Sequence, residues 1–326
     1  MRTLLVGYRA ADLTPELLKG DVTCHTLDIY HRHAIEKVHH AKAVCSAHLP
    51  EGPWDVIKFK TGPKIHSGEL ALDLLQEIAT LLKNGEAAPP PLEKNPKFLL
   101  DFEGCERDRN DLLNKIKDDP KRVRSFKAEW PASVPGGEKL MFTSYPGCFC
   151  HRRLDEGGLA LAEVASREMC ERDVRTSGLR LLDMGCGCGL VGFLIANRLS
   201  VPSTKHQAPS TSLHLTLVDS HSRAVEAATE NAAKFGIPAE VSLSDSGTPA
   251  RMDGTFDVFV GNPPYYSDYR IAEVFLETAK RALKPGGVCY TVVKNAAGLK
   301  PVQEKFFLSV EIIRRRNYSI LKSIKE

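Results

Sequence analysis

Residues 179–199 read LRLLDMGCGCGLVGFLIANRL, a run that leaves little choice of architecture. Leucines and a methionine make a buried strand, Gly185, Gly187 and Gly189 turn the chain, and an apolar stretch long enough for a helix follows. A strand that turns on glycines straight into a helix opens a βαβ unit, and repeated βαβ units build a doubly wound parallel sheet. The pattern continues. LHLTLVDS is a second strand, and HSRAVEAATENAAKFG sets Val225, Ala228, Ala232 and Phe235 on one helical face before a glycine stop. AEVSLSD is a third strand and FDVFVG a fourth; AEVFLETAKRALKPGG is a helix ended by Pro and Gly, and VCYTVVK is a fifth strand.

The N-terminal half alternates in the same way with weaker signals. RTLLVGY, a polar helical stretch, DVTCHTLDIY and WDVIKFK precede ALDLLQEIATLLKNG, where Leu74, Leu75, Ile78, Leu81 and Leu82 recur at helical spacing before Gly85. The first strand runs into GYRAADL, with one glycine where a nucleotide-binding turn needs several. The expectation is an α/β chain of two tandem doubly wound, Rossmann-like domains. Residues 1–138 lack a cofactor loop and residues 139–326 carry one. The Pro-rich EAAPPPLEKNPK and the mixed-charge segment after it, 86–129 in all, read as an insertion or linker.

At 326 residues, 42% hydrophobic and 26% charged, the chain is long enough for two buried cores. A net charge of +3 does not by itself announce a nucleic-acid binder. The basic runs Lys115–Lys127 and Arg314–Arg316 read as solvated faces that can still meet phosphates. Nine scattered cysteines, and an N-terminus without a signal-peptide core, point to a reducing, cytoplasmic setting. CFCH and CGC lack the spacing of zinc ligands, so buried thiols and no metal are expected. No apolar run has the length of a membrane span.

GCGLVG matches the dinucleotide fingerprint GxGxxG, a weak signal alone. Asp183, at the entrance of the turn, would repel a pyrophosphate and suits a ligand with an ammonium group. Asp219, at the end of the second strand, can accept ribose hydroxyls in either reading. The fourth strand stops at once in FDVFVGNPPYYSD. Proline removes a donor and forces the residue before it extended, so Asn262 and Pro263 form a stiff polar corner beside Tyr265 and Tyr266.

DMGCGCG, LTLVD and NPPYY in that order resemble the class I methyltransferases that use S-adenosylmethionine. The resemblance implies that Asp183, Gly185, Gly187 and Gly189 surround the methionine end of that cofactor, that Asp219 holds its ribose, and that Asn262 lies beside it. Asp245 then falls near the adenine amine, or serves as a cap or turn residue. An exocyclic ring amine is a poor nucleophile because its lone pair is delocalised into the ring. Two fixed acceptors, the Asn262 side-chain oxygen and the Pro263 carbonyl, would localise that pair on nitrogen, while Tyr265 offers a stacking face.

YPGCFCHRRLDEGGLALAEV is similar to the entry segment of the bacterial ribosomal RNA guanine-N2 methyltransferases, matching at Phe149, Arg153, Leu154, Asp155 and Gly157. Those enzymes are two tandem methyltransferase-like domains, the first without a working cofactor loop. The resemblance implies that the segment covers the cofactor, with Phe149 and Arg153 joining Tyr265 and Tyr266 on the substrate side. It implies guanine-N2 methylation of ribosomal RNA, with RNA or a ribosomal subunit as partner. Glutamine-N5 methylation of a protein, adenine-N6 methylation and a non-catalytic RNA-binding scaffold are the alternatives. The oligomeric state is left open.

Overall fold

The computed structural model describes residues 1–82, 92, 95–117, 124–171, 178–201, 213–264 and 269–326. They form two units. One comprises Met1–Lys127 with residues 145–147 and 221–223, and the other Ala128–Ser144, Cys148–Ser220 and Ala224–Glu326.

The first unit runs β1 (Arg2–Val6), β2 (Asp21–Thr26), α1 (Ile29–His39), β3 (Ala43–Cys45), β4 (Val56–Thr61), α2 (Gly68–Leu82), β5 (Phe98–Phe102) and α3 (Glu106–Lys117). Its sheet has the order β3-β2-β1-β4-β5, with every neighbouring pair parallel. A parallel sheet needs covered faces. The α2 stripe of Leu70, Leu74, Leu75 and Ile78 supplies cover by packing in one core with Leu4, Val6, Ile57 and Phe59. The polar stretch after β1, expected as a helix, holds only a short turn at Ala10–Asp12; Pro15 lacks an N–H and disfavours a helical Thr14, although Leu13 is buried and Leu17 and Leu18 pack beside it. Ile29 and Tyr30, expected in a strand, open α1 because Asp28 caps it by accepting the Tyr30 N–H at 2.8 Å.

The segment 86–129 is not a linker where it is described. It contributes β5, paired along β4, and α3, and it buries Phe98, Leu112 and Leu113. The charges of α3 from Glu106 to Asp111 are exposed, while Leu112 and Leu113 are buried.

Strand order in the first unit reverses between β1 and β4, where such sheets place a ligand. Here the space is filled. A Cβ on Gly7 would lie 2.4 Å from the Lys60 carbonyl oxygen and 2.8 Å from His66 Cε1. Tyr8 is only 4% exposed, and burial raises its hydroxyl pKa. Lys60 bridges Asp12, Asp101 and Glu103 at 3.4, 3.7 and 3.8 Å.

The second unit opens with the antiparallel hairpin of β6 (Ala128–Ala132) and β7 (Leu140–Ser144), so it begins before residue 139. Then come α4 (Glu156–Glu171), β8 (Leu179–Met184), α5 (Leu190–Ser200), β9 (Leu213–Asp219), α6 (Ser222–Phe235), β10 (Ala239–Leu243), β11 (Phe256–Gly261), α7 (Arg270–Ala282), β12 (Leu283–Val293), α8 (Ala296–Gln303), β13 (Glu311–Arg315) and β14 (Tyr318–Ile324). The sheet order is β10-β9-β8-β11-β12-β14-β13. The first five strands are parallel, as the sequence pattern indicates, and β14 and β13 are antiparallel additions.

Helix α7 ends at Ala282, ahead of the Pro-Gly stop, because Leu283 is buried and already pairs with Phe256 of β11. Trp130 and Phe142 of the hairpin stack with centroids 5.2 Å apart, and Phe142 meets Phe235 edge-on at 5.0 Å. In the Arg314–Arg316 run, Arg315 and Arg316 both pair with buried Glu163, at 2.5 and 2.7 Å. No helix among the described residues is long and apolar enough to cross a membrane.

Candidate active site

In the second unit the strand order reverses between β8 and β11. Val260 pairs with Asp183 and Gly261 with Met184, so the glycine turn and the Asn-Pro-Pro corner leave neighbouring strands at the same edge. Asp183 is 1% exposed, and its Oδ2 accepts the Gly192 N–H at 2.9 Å. Burial, helped by the Asp219 charge, pushes its pKa up to about 7 against the pull of that hydrogen bond. A carboxylate held this way gains by meeting a cation.

The turn is anchored at both ends. The Gly185 and Cys186 N–H groups donate to the Val218 carbonyl at 2.8 and 3.1 Å, and the Gly189 N–H donates to the Cys186 carbonyl at 2.8 Å. Asn231, buried in α6, donates from Nδ2 to the Cys188 carbonyl at 2.9 Å. Gly185, Gly187 and Gly189 all have positive φ, and their surroundings differ. A Cβ on Gly189 would strike the Phe193 ring at 2.3 Å, and one on Gly185 would strike Phe275 Cζ at 2.6 Å. On Gly187 it would meet nothing within 4 Å, so this backbone borders open space. That bare edge beside a buried acid fits a ligand with an amino-acid ammonium group.

Asp219, at the end of β9, accepts the Gly187 N–H on Oδ2 at 2.8 Å. The Ser244 N–H donates to the Asp219 carbonyl at 2.9 Å, which brings half-buried Asp245 to the same strand ends. A Cβ on Gly261 would come 2.9 Å from Phe275 Cδ1, so the corner after β11 rests on the ring that also supports Gly185. Asn262 is half-buried and Pro263 buried. Tyr265 and Tyr266 lie outside the described residues.

The segment before α4 reaches the corner. Asn262 Nδ2 donates to Asp155 Oδ2 at 2.8 Å. Burial raises the Asp155 pKa, opposed by hydrogen bonds from Gly158, Asn262 and Gly157. Phe149 is 67% exposed, and Arg153 is exposed on the same segment. Sequence reasoning matched Asp155 but gave it no task; the signal was an aspartate followed by two glycines where a helix begins. Cys186 and Cys188 are buried thiols with raised pKa, burial being the main cause. Among the described residues no cluster of His, Cys, Asp and Glu is arranged to hold a metal ion.

Known proteins match this architecture. The ribosomal RNA small subunit methyltransferase C of Hahella chejuensis is 34% identical over 173 residues, covering 51% of this chain and 44% of that protein. Its namesake in Marinomonas sp. is 28% identical over 196 residues, covering 59% and 51%. The chain thus spans about half the length of these curated relatives. Among solved structures, the T. thermophilus 16S rRNA N2 G1207 methyltransferase, in complex with AdoMet and guanosine, superposes with a TM-score of 0.71 at 16% identity. That superposition covers 100% of this chain and 88% of the other and shows a shared fold. The methyltransferase small domain matches residues 139–322, more than half of the chain, which therefore belongs to that family.

Proposed function

We propose that the protein is an S-adenosylmethionine-dependent methyltransferase that modifies the N2 amine of guanine in small-subunit ribosomal RNA. The observation that carries this reading is the register of β8 with β11, which sets a buried acid and a fixed amide at one sheet edge. Asp183 and the backbone of Gly185, Gly187 and Gly189 would hold the methionine end. Asp219 would hold the ribose, and Asp245 would meet the adenine amine. S-adenosylmethionine supplies a methyl carbon already activated by its sulfonium.

The remaining task falls to the corner. The Asn262 oxygen and the Pro263 carbonyl accept the two N–H bonds of the target amine and return its lone pair to nitrogen. Transfer would form one N–C bond and break one C–S bond, and the amine would give one proton to solvent. Tyr265 and Tyr266 follow directly in sequence and would carry the base, with Phe149 and Arg153 contributing from the exposed entry segment. The names of the relatives support ribosomal RNA as the partner, in a cytoplasmic setting.

The test is to incubate the purified protein with labelled S-adenosylmethionine and ribosomal RNA or small subunits, and to analyse the nucleosides by mass spectrometry. N2-methylguanosine is expected. N6-methyladenosine, methylglutamine in protein, or RNA binding without methyl transfer would each replace the reading with one of its alternatives.

A further inference from the structure

Asn262 carries an orientation problem that its own chemistry does not solve. An amide has an accepting end and a donating end of nearly the same shape. With Oδ1 toward an amine it accepts an N–H bond; turned over, it presents Nδ2 and repels the amine. The structure contains a group that breaks this symmetry. Asp155 Oδ2 takes the Asn262 Nδ2 hydrogen at 2.8 Å, and an ionised carboxylate can only accept.

Asp155 is itself fixed. Its Oδ1 accepts the Gly157 N–H at 3.0 Å, and its carbonyl accepts the Leu159 N–H at 2.9 Å at the start of α4. A Cβ at Gly158 would fall 2.6 Å from Asp155 Oδ2, so any larger residue there would displace the carboxylate.

Resting on the function proposed above, we propose that Asp155 is a positioning residue that sets the polarity of Asn262. By occupying Nδ2 it leaves Oδ1 as the end offered to substrate, so the corner takes a nucleophile bearing N–H bonds and rejects one that presents a bare lone pair. The simpler role for Asp155 is to cap α4. Asparagine caps a helix about as well as aspartate, so Asp155→Asn separates the two roles. Its amide would donate toward Asn262 and force that side chain to turn over.

The experiment is a double-mutant cycle of D155N, N262D and the double variant, with Asp155→Ser added, which keeps a capping oxygen but is too short to reach Asn262. Single-turnover methyl transfer, S-adenosylmethionine affinity and thermal melting are measured for each. D155N and D155S should slow transfer on the order of a hundred-fold with cofactor affinity and melting near the parent. N262D sets two carboxylates together and should be slow as well. In the double variant donor and acceptor exchange places, and transfer should recover at least about ten-fold over either single variant. Parent-rate transfer by D155N or D155S, or a double variant no faster than the slower single, overturns the assignment and leaves the proposed function standing. If D155N does not fold, D155S and the double variant decide alone. A parent protein that transfers no methyl group to RNA removes the functional reading itself and this assignment with it.

Discussion

Asp219 Oδ2 accepts the Gly187 N–H at 2.8 Å, so the carboxylate expected to hold the ribose also braces the glycine turn at the residue that borders open space. On the proposed function, one side chain would serve both parts of the ligand. Asp219→Ala should weaken S-adenosylmethionine binding about ten- to a hundred-fold, the usual worth of a hydrogen bond to a charged group. Asp219→Asn, which can still accept from Gly187, should lose less. Calorimetric titration ranks the two; equal losses would mean that the brace contributes nothing.

Asp183 predicts a pH dependence of definite sign. Its pKa rises from an ordinary 3.8 to about 7, with burial as the main cause. Between those values the folded protein holds a proton that the unfolded chain has released, so stability falls as pH rises through that window. Asp183→Asn should remove this slope from a series of thermal melts. Binding of a cationic ligand favours the ionised carboxylate, so S-adenosylmethionine affinity should rise from about pH 6 to about pH 7.5 with release of a proton. Above about pH 8 the ligand's own α-amino group loses its charge and the gain should stop. Titrations in buffers of different ionisation enthalpy count the proton.

Asn262→Ala removes one of the two acceptors at the corner without touching Asp183 or Asp219. The methyl-transfer rate should fall on the order of 10² to 10³-fold while cofactor affinity holds. Tyr265→Phe, which keeps the ring, should be tolerated, and Tyr265→Ala should not. Transfer at the parent rate by Asn262→Ala would mean that the amine is held elsewhere.

The basic run offers a separate handle on RNA. Lys115, Arg124 and Lys127 are exposed in the first unit, while Lys121 and Arg122 lie outside the described residues. Neutralising Lys115, Lys117, Lys121, Arg122, Arg124 and Lys127 together should weaken RNA binding and flatten its salt dependence without altering cofactor affinity. An unchanged salt slope would make this run an ordinary solvated face.

The second unit was legible in sequence because its central parallel strands are buried on both faces and read as short apolar runs between glycine stops. LRLLDM and FDVFVG are the clearest cases. The strand β13 was not legible, because its residues are mostly exposed and the Arg314–Arg316 run interrupts any alternation with β14. The stretch 86–129 misled for a related reason: α3 is so rich in charge that its short apolar stripe, Leu112 and Leu113, is easily missed. At the candidate site, strand ends and glycines located Asp183, Asp219 and Asn262. The task of Asp155 became visible only in three dimensions, since its partner Asn262 is far along the chain and no spacing rule connects them.

Gly185 and Gly261 both lie against the ring of Phe275, so the two sides of the cleft share a single footing in α7. A methyl group added to either glycine would collide with the same ring and, through it, disturb the opposite side. On the proposed function, the parts that would recognise the methyl donor and the parts that would recognise its acceptor are thereby mechanically joined, so a substitution at one strand end should be read out at the other.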